Sequence, residues 1–247
     1  MIPTRPPFAA GTPVRSSSSR RARRTTIRPA WLGRLDDLLG AVKRAPLGVL
    51  LMVVLAVATV CAISQIPMRE RLRSQARIGA LLSTAPVLLV GDSISYLAAP
   101  RLLCDEAVFN ASIPGDRIAD VVADAREYAP RRQTKRVVVA VGVNDAWPHH
   151  RTIASWIADY RRLVTLYAGH DLVLVEINPP EVSRQRFPKP LDLNFIAQAN
   201  EAIRAIAAKT GARLVPAPQS IHTRDGLHPT PAGIDLWRAR LSQAACI

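Results

Sequence analysis

From Pro86 onward the chain alternates between short, uninterrupted apolar runs and longer amphipathic stretches. The runs are 87–91 (VLLVG), 107–111 (AVFNA), 136–142 (RVVVAVG), 172–177 (LVLVEI) and 213–216 (RLVP). Each has the length of a strand, and its Val and Leu follow one another without alternation. That is the pattern of strands covered on both faces. The stretches near 94–103, 117–128, 152–168, 192–209 and 231–244 read as helices. Five such strands separated by helices predict an α/β domain: a doubly wound, three-layer α/β/α arrangement on a five-stranded parallel sheet, flavodoxin-like in type. In that architecture ligands sit beyond the carboxyl ends of the strands, so functional residues are expected just after strands.

Upstream of Pro86 the pattern changes. Leu47 to Ile66 is a 20-residue apolar run, and no charged residue stands between Arg44 and Arg69. As a helix rising ~1.5 Å per residue, such a run spans a bilayer core of ~30 Å. Residues 46–67 are therefore expected to form a transmembrane helix. Residues 68–85 then form a linker with a polar juxtamembrane helix, and 86–247 the folded domain. Residues 1–45, with "RSSSSRRARR" and scattered Pro, show no hydrophobic period and are expected to be a disordered basic tail.

The net charge of +14 sharpens this picture because it is uneven. Residues 1–46 carry ten Lys and Arg against Asp36 and Asp37, so the basicity is concentrated in the tail. A basic flank before the apolar run favours a cytoplasmic N-terminus and a domain on the exported, periplasmic or extracellular side. Two other readings of the start are a cleaved signal, with "VCA" at 60–62 as its site, and an organellar transit peptide. The late position and length of the apolar run favour an anchor over both. The Arg-rich tail is read as an orientation signal, and no nucleic-acid partner is expected. Cys61 falls inside the apolar run. Cys104 and Cys246 remain in the domain, where an exported location permits one disulfide between them; two unrelated thiols are the alternative.

The candidate chemistry follows the strands. After the first comes Gly91-Asp92-Ser93, after the second "NASIPGDR" with Gly115, and after the third "GVND" with Asn144 and Asp145. Just before the last helix comes "DGLHP", with Asp225 and His228. A serine hydroxyl needs an adjacent base to act as a nucleophile. His228 supplies a candidate base, with Asp225 three residues earlier to hold its other ring nitrogen. Taken singly, Ser93 reads as a helix cap and Asn144 and Asp145 as turn residues. Together, in order on an alternating β/α background, they read as a site.

These four blocks resemble the SGNH (GDSL-like) hydrolases, with Ile94 standing where the family name has Leu. The resemblance spans 86–247. It implies a serine esterase working through Ser93, Asp225 and His228 and an acyl-enzyme. It also implies an oxyanion hole built from the backbone N–H groups of Ser93 and Gly115 and the side-chain amide of Asn144. Asp92 is expected to be a structural neighbour. An anchored, exported member suggests an O-acetyl ester on envelope or extracellular carbohydrate as substrate. The alternatives are an O-acyltransferase using the same residues with a sugar hydroxyl as acceptor, a lipid esterase or thioesterase, and a catalytically silent binding module.

No HExxH, paired CxxC or glycine-rich phosphate loop is present, so neither metal nor cofactor is expected. His149, His150, His170 and His222 lack the context of His228 and are expected in loops or on the surface. Loop 178–190, with Arg184, Arg186 and Lys189, is expected to border the pocket.

Overall fold

The computed structural model describes residue 40 and residues 46–128, 133–148, 151–219 and 222–246; the expected tail, apart from Gly40, and the pair His149 and His150 lie outside them. The chain divides into two units, Met1–Ile63 and Ser64–Ile247. The first helix, α1 (Pro46–Gln65), carries no charged residue, and its leucines and all its valines but Val49 are exposed. Among the described residues, however, no helix is long and apolar enough to cross a membrane, so the expected span at 46–67 is not shown by the fold itself.

In the second unit a polar helix, α2 (Met68–Leu82), leads into β1 (Val87–Gly91). The order continues α3 (Ser93–Ala98), β2 (Leu102–Leu103), β3 (Glu106–Asn110), α4 (Ile118–Asp124) and β4 (Arg136–Ala140). It ends with α5 (Ile153–Leu166), β5 (Asp171–Val175), α6 (Leu193–Thr210), β6 (Arg213–Val215) and α7 (Pro231–Ala245). All five expected strands are present within two residues or so of their expected limits.

The sheet runs β2-β3-β1-β4-β5-β6. The five expected strands are parallel, with Val87 beside Val108 on one side and Arg136 on the other. The sixth, β2, pairs antiparallel with β3, so the sheet is mixed rather than purely parallel. The extra strand corrects the helix expected over 94–103. Pro100 disfavours a helical conformation at Ala99, and α3 stops at Ala98 with Ala99 extended. The chain then turns at Cys104 and Asp105, both in the left-handed region at φ 53° and 63°, as a two-residue hairpin requires.

Apart from β2, the strand order reverses at β1, which lies between β3 and β4. With right-handed crossovers, that reversal sends α3 to one face of the sheet and α4, α5 and α6 to the other. The packing agrees: α3 touches α7, while α4 touches α5 and α5 touches α6. Coverage on both faces explains why every residue of β1 is buried. Trp156, Tyr160, Leu163 and Tyr167 of the α5 region fill the core behind the sheet. The crevice beyond the reversal, at the carboxyl ends of β1 and β4, is where this topology exposes a binding site.

A disulfide joins Cys104 to Cys246 with Cα atoms 5.3 Å apart, closing the question the sequence left open. It ties the β2–β3 turn to the residue that ends α7.

Candidate active site

β1 ends at Gly91, and the next two residues divide the work at the start of α3. Asp92, not Ser93, is the helix cap: its Oδ1 accepts from the Ile94 N–H at 3.0 Å. Ser93 is the first helical residue, and its hydroxyl is left for a tertiary partner. That partner is His228, whose Nε2 lies 3.1 Å from Ser93 Oγ. On the other side of the ring, His228 Nδ1 lies 2.7 Å from Asp225 Oδ2. The three side chains form one hydrogen-bonded row across 135 residues of sequence.

The DGLHP turn is built to present that row. Asp225 Oδ1 accepts from the backbone N–H groups of Leu227 at 3.1 Å and His228 at 2.8 Å. Burial works to raise the Asp225 pKa, but the His228 hydrogen bond and the two backbone donors outweigh it and hold the carboxyl below the usual range. Glu181 accepts from both the N–H and the hydroxyl of Thr223, and the Thr223 hydroxyl in turn accepts from the Gly226 N–H. Gly226, at φ 91°, lies so close to Gln185 that an added Cβ would stand 2.6 Å from its Cα. Thr230, two residues past His228, caps α7 by accepting from the Gly233 N–H at 3.3 Å.

The loop after β3 runs beside Gly91. The Ile113 N–H donates to the Gly91 carbonyl at 3.0 Å, and two residues later Gly115 turns at φ 82°. That left-handed conformation costs a glycine little. Asn144, in the short helical turn Val143–Ala146 after β4, donates through Nδ2 to the Asp116 carbonyl at 3.0 Å. Its neighbour Asp145 accepts from the Ile118 N–H at 2.9 Å. Asn144 and Asp145 thus clasp the segment that follows Gly115. Burial pushes Asp145 up to about 6, against the Ile118 hydrogen bond and the nearby Arg151. Burial likewise pushes Asp92 up to about 7, against backbone hydrogen bonds from Ile94, Gly142 and Val143.

Ser93, Asp225 and His228 are brought together, and Gly115 and Asn144 sit on the two loops that flank Ser93. Loop 178–190 borders the site as expected: the Arg186 N–H donates to the Asp225 carbonyl, and the Phe187 ring lies 6.3 Å from that of His228. Arg184 is engaged by Glu181 at 2.9 Å. His222 is exposed and His170 stands at the amino end of β5, opposite the carboxyl ends that carry the site, so neither competes for the role of base. Sequence reasoning passed over two supports, the capping role of Asp92 and the Glu181–Thr223 brace. An acid just before a helix start was the available signal for the first.

A serine, histidine and aspartate stand in hydrogen-bonded series at the strand ends of a doubly wound sheet, the arrangement of a hydrolase with an α/β fold. Residues 84–236 match the GDSL-like Lipase/Acylhydrolase family, and the chain belongs to that family of ester-hydrolysing enzymes. Among solved structures, it is similar to a GDSL-like lipase from Bacteroides thetaiotaomicron, at 19% identity and a TM-score of 0.60, covering 70% of this chain and 96% of that one. It is also similar to the lipase/acylhydrolase from Enterococcus faecalis, at 21% identity and a TM-score of 0.54, covering 64% and 93%. An acetyl xylan esterase is similar at 17% identity and a TM-score of 0.54, covering 64% and 98%. At such identities the likeness is one of fold. No curated protein matches the chain by sequence.

Proposed function

We propose that this chain is a membrane-anchored serine esterase that removes acyl groups, O-acetyl groups above all, from envelope or extracellular carbohydrate. The observation that carries the catalytic part is the row from Asp225 through His228 to Ser93. His228 Nε2 takes the Ser93 proton as Oγ attacks the ester carbonyl, and Asp225 steadies the imidazolium that forms. Negative charge then grows on the carbonyl oxygen. The N–H groups of Ser93 and Gly115 and the side-chain amide of Asn144 are the donors assigned to it; losing one such donor typically costs ~10²–10³ in rate. His228 returns the proton to the leaving alcohol, and water repeats the cycle on the acyl-enzyme.

Three features support the location. The apolar helix Pro46–Gln65 carries no charge, and most of its large apolar side chains are exposed. The segment before it is strongly basic. The Cys104–Cys246 disulfide suits an oxidising compartment. Likeness of fold to an acetyl xylan esterase is compatible with an acetyl-carbohydrate substrate.

The test is fluorophosphonate labelling and ester turnover by the detergent-solubilised full chain. Wild type is expected to label and to release acetate from acetylated sugars, while Ser93→Ala does neither. Equal labelling of the two proteins would overturn the assignment of Ser93. Transfer of acetyl to an added sugar in place of acetate release would reassign the enzyme as an acyltransferase, and preference for long-chain or thioesters would move the substrate class.

A further inference from the structure

We infer that α2 positions the loop carrying Gly115, with Arg69 and Arg73 acting as positioning residues for the reaction; its kinetic consequence rests on the esterase reading above.

Asp116, the residue after Gly115, is held from two directions. Its carbonyl receives the Asn144 amide at 3.0 Å. Its carboxylate, only 2% exposed, receives both arginines: Oδ1 accepts from Arg69 Nη2 at 2.7 Å and Nε at 3.0 Å, and from Arg73 Nη2 at 3.1 Å. α2 lies before residue 84, where the family match begins.

The spacing is regular on both sides. Arg69, Arg73 and Arg77 recur every four residues along α2, and Asp116, Asp120 and Asp124 do the same into and along α4. Such spacing sets side chains on one face of each helix. Arg69 also reaches Asp120 at 2.6 Å, Arg73 reaches Asp120 and Asp124, and Arg77 reaches Asp124 at 3.1 Å and Glu127. The exposed pairs contribute little individually. The pairs on Asp116 and Asp124 differ because both carboxylates are buried, and of the two only Asp116 adjoins Gly115. A buried charge stripped of its partners is costly, and the chain escapes by moving the charge toward water. Here that movement drags Gly115 and the carbonyl that fixes Asn144. Two of the three assigned oxyanion donors thereby depend on a helix that contributes no group to the reaction.

The experiment compares wild type, Arg69→Ala/Arg73→Ala, Arg69→Lys/Arg73→Lys and Arg77→Ala in the full chain. Arg77 serves as the control because it binds α4 at Asp124 and Glu127, away from Asp116. For p-nitrophenyl acetate, the double alanine variant is expected to lose ~10–100-fold in kcat with KM within about twofold, since oxyanion donors act on the transition state. The double lysine variant recovers part of that loss, and Arg77→Ala keeps wild-type kcat. Amide hydrogen exchange over residues 113–118 is expected to accelerate in the double alanine variant only, a readout that holds whether or not the ester is turned over. Unchanged exchange there, or an equal kcat loss in Arg77→Ala, would overturn the clamp. Failure of wild type to hydrolyse any ester, with exchange still accelerated, would leave the clamp standing and remove the esterase reading instead.

Discussion

Asp225 grips His228 twice, through the backbone N–H at 2.8 Å and through ring Nδ1 at 2.7 Å. The first contact shapes the turn, and the second sets which ring nitrogen carries the proton. Asp225→Asn keeps an acceptor for the backbone but offers the ring an amide with no charge. The imidazole is then left in the wrong tautomer to accept from Ser93. A kcat loss of about 10³–10⁴ with little change in KM is expected. Circular dichroism should show the fold intact, and a variant within tenfold of wild type would remove Asp225 from the row. Because its pKa is depressed, the stability that the Asp225 charge confers is full above the ordinary carboxylate value and is lost as pH falls from there through its own lower pKa.

Asp92 titrates in the opposite sense. Burial raises it from 3.8 to about 7, so between those values the folded state holds a proton that the unfolded chain has released. Stability should therefore fall as pH rises from about 4 to about 7, and level off above. Asp116 and Asp145, each pushed up to about 6 by burial, act in the same direction. Asp92→Asn removes the largest of these contributions. The decline in Tm between pH 5 and pH 8 is expected to shrink by about 3–6 °C in that variant. Parallel Tm curves for the two proteins would count against a neutral Asp92.

How far the sequence disclosed this site depends on the range of the interactions involved. β1, β4 and β5 were legible because an uninterrupted Val/Leu run has few alternatives to a strand buried on both faces. The row of Ser93, Asp225 and His228 was legible because each member follows a strand or precedes the last helix, where this topology gathers ligands. β2 was not, because a two-residue strand has no period and only Pro100 marked the end of α3. Nor was the α2–α4 clamp. The fourfold spacing of its arginines and aspartates stands in the chain, yet each set alone reads as a solvated helix face. Their pairing depends on two helices 40 and more residues apart coming together.

Gly91 carries a packing requirement that neither its motif nor its φ reveals. An added Cβ would stand 2.1 Å from Ser95 Oγ and 2.3 Å from the Ala140 carbonyl oxygen. The serine side chain can turn away, but Ala140 belongs to β4, and Gly91 is its direct partner in the sheet. Gly91→Ala must therefore push β1 and β4 apart at the end that carries Ser93. A destabilisation of about 3 kcal/mol is expected, read as a Tm lower by about 6–12 °C. Residual activity below the new Tm should also drop, since Ser93 moves away from His228. A Tm within two degrees or so of wild type would reject the close approach.

The Cys104–Cys246 disulfide closes a loop with a sequence separation of 142 residues, nearly the whole catalytic domain. Cross-linking so long a segment restricts the unfolded chain strongly, and losing such a bond typically costs about 2–5 kcal/mol. The site itself lies elsewhere. His228 and Ser93 meet at the carboxyl ends of the strands, and α7 is held at its start by the Thr230 cap and along its length by buried Trp237 and Leu241. Reduction should therefore lower Tm by about 5–15 °C while leaving ester turnover at 25 °C close to that of the oxidised protein. The Cys104→Ser/Cys246→Ser variant is expected to melt like the reduced wild type and to ignore added reductant. A non-reducing gel should show faster migration for the oxidised wild type alone. If reductant left the wild-type Tm unchanged, the bond would not form in the folded protein, and the end of α7 would have to be held by its packing alone.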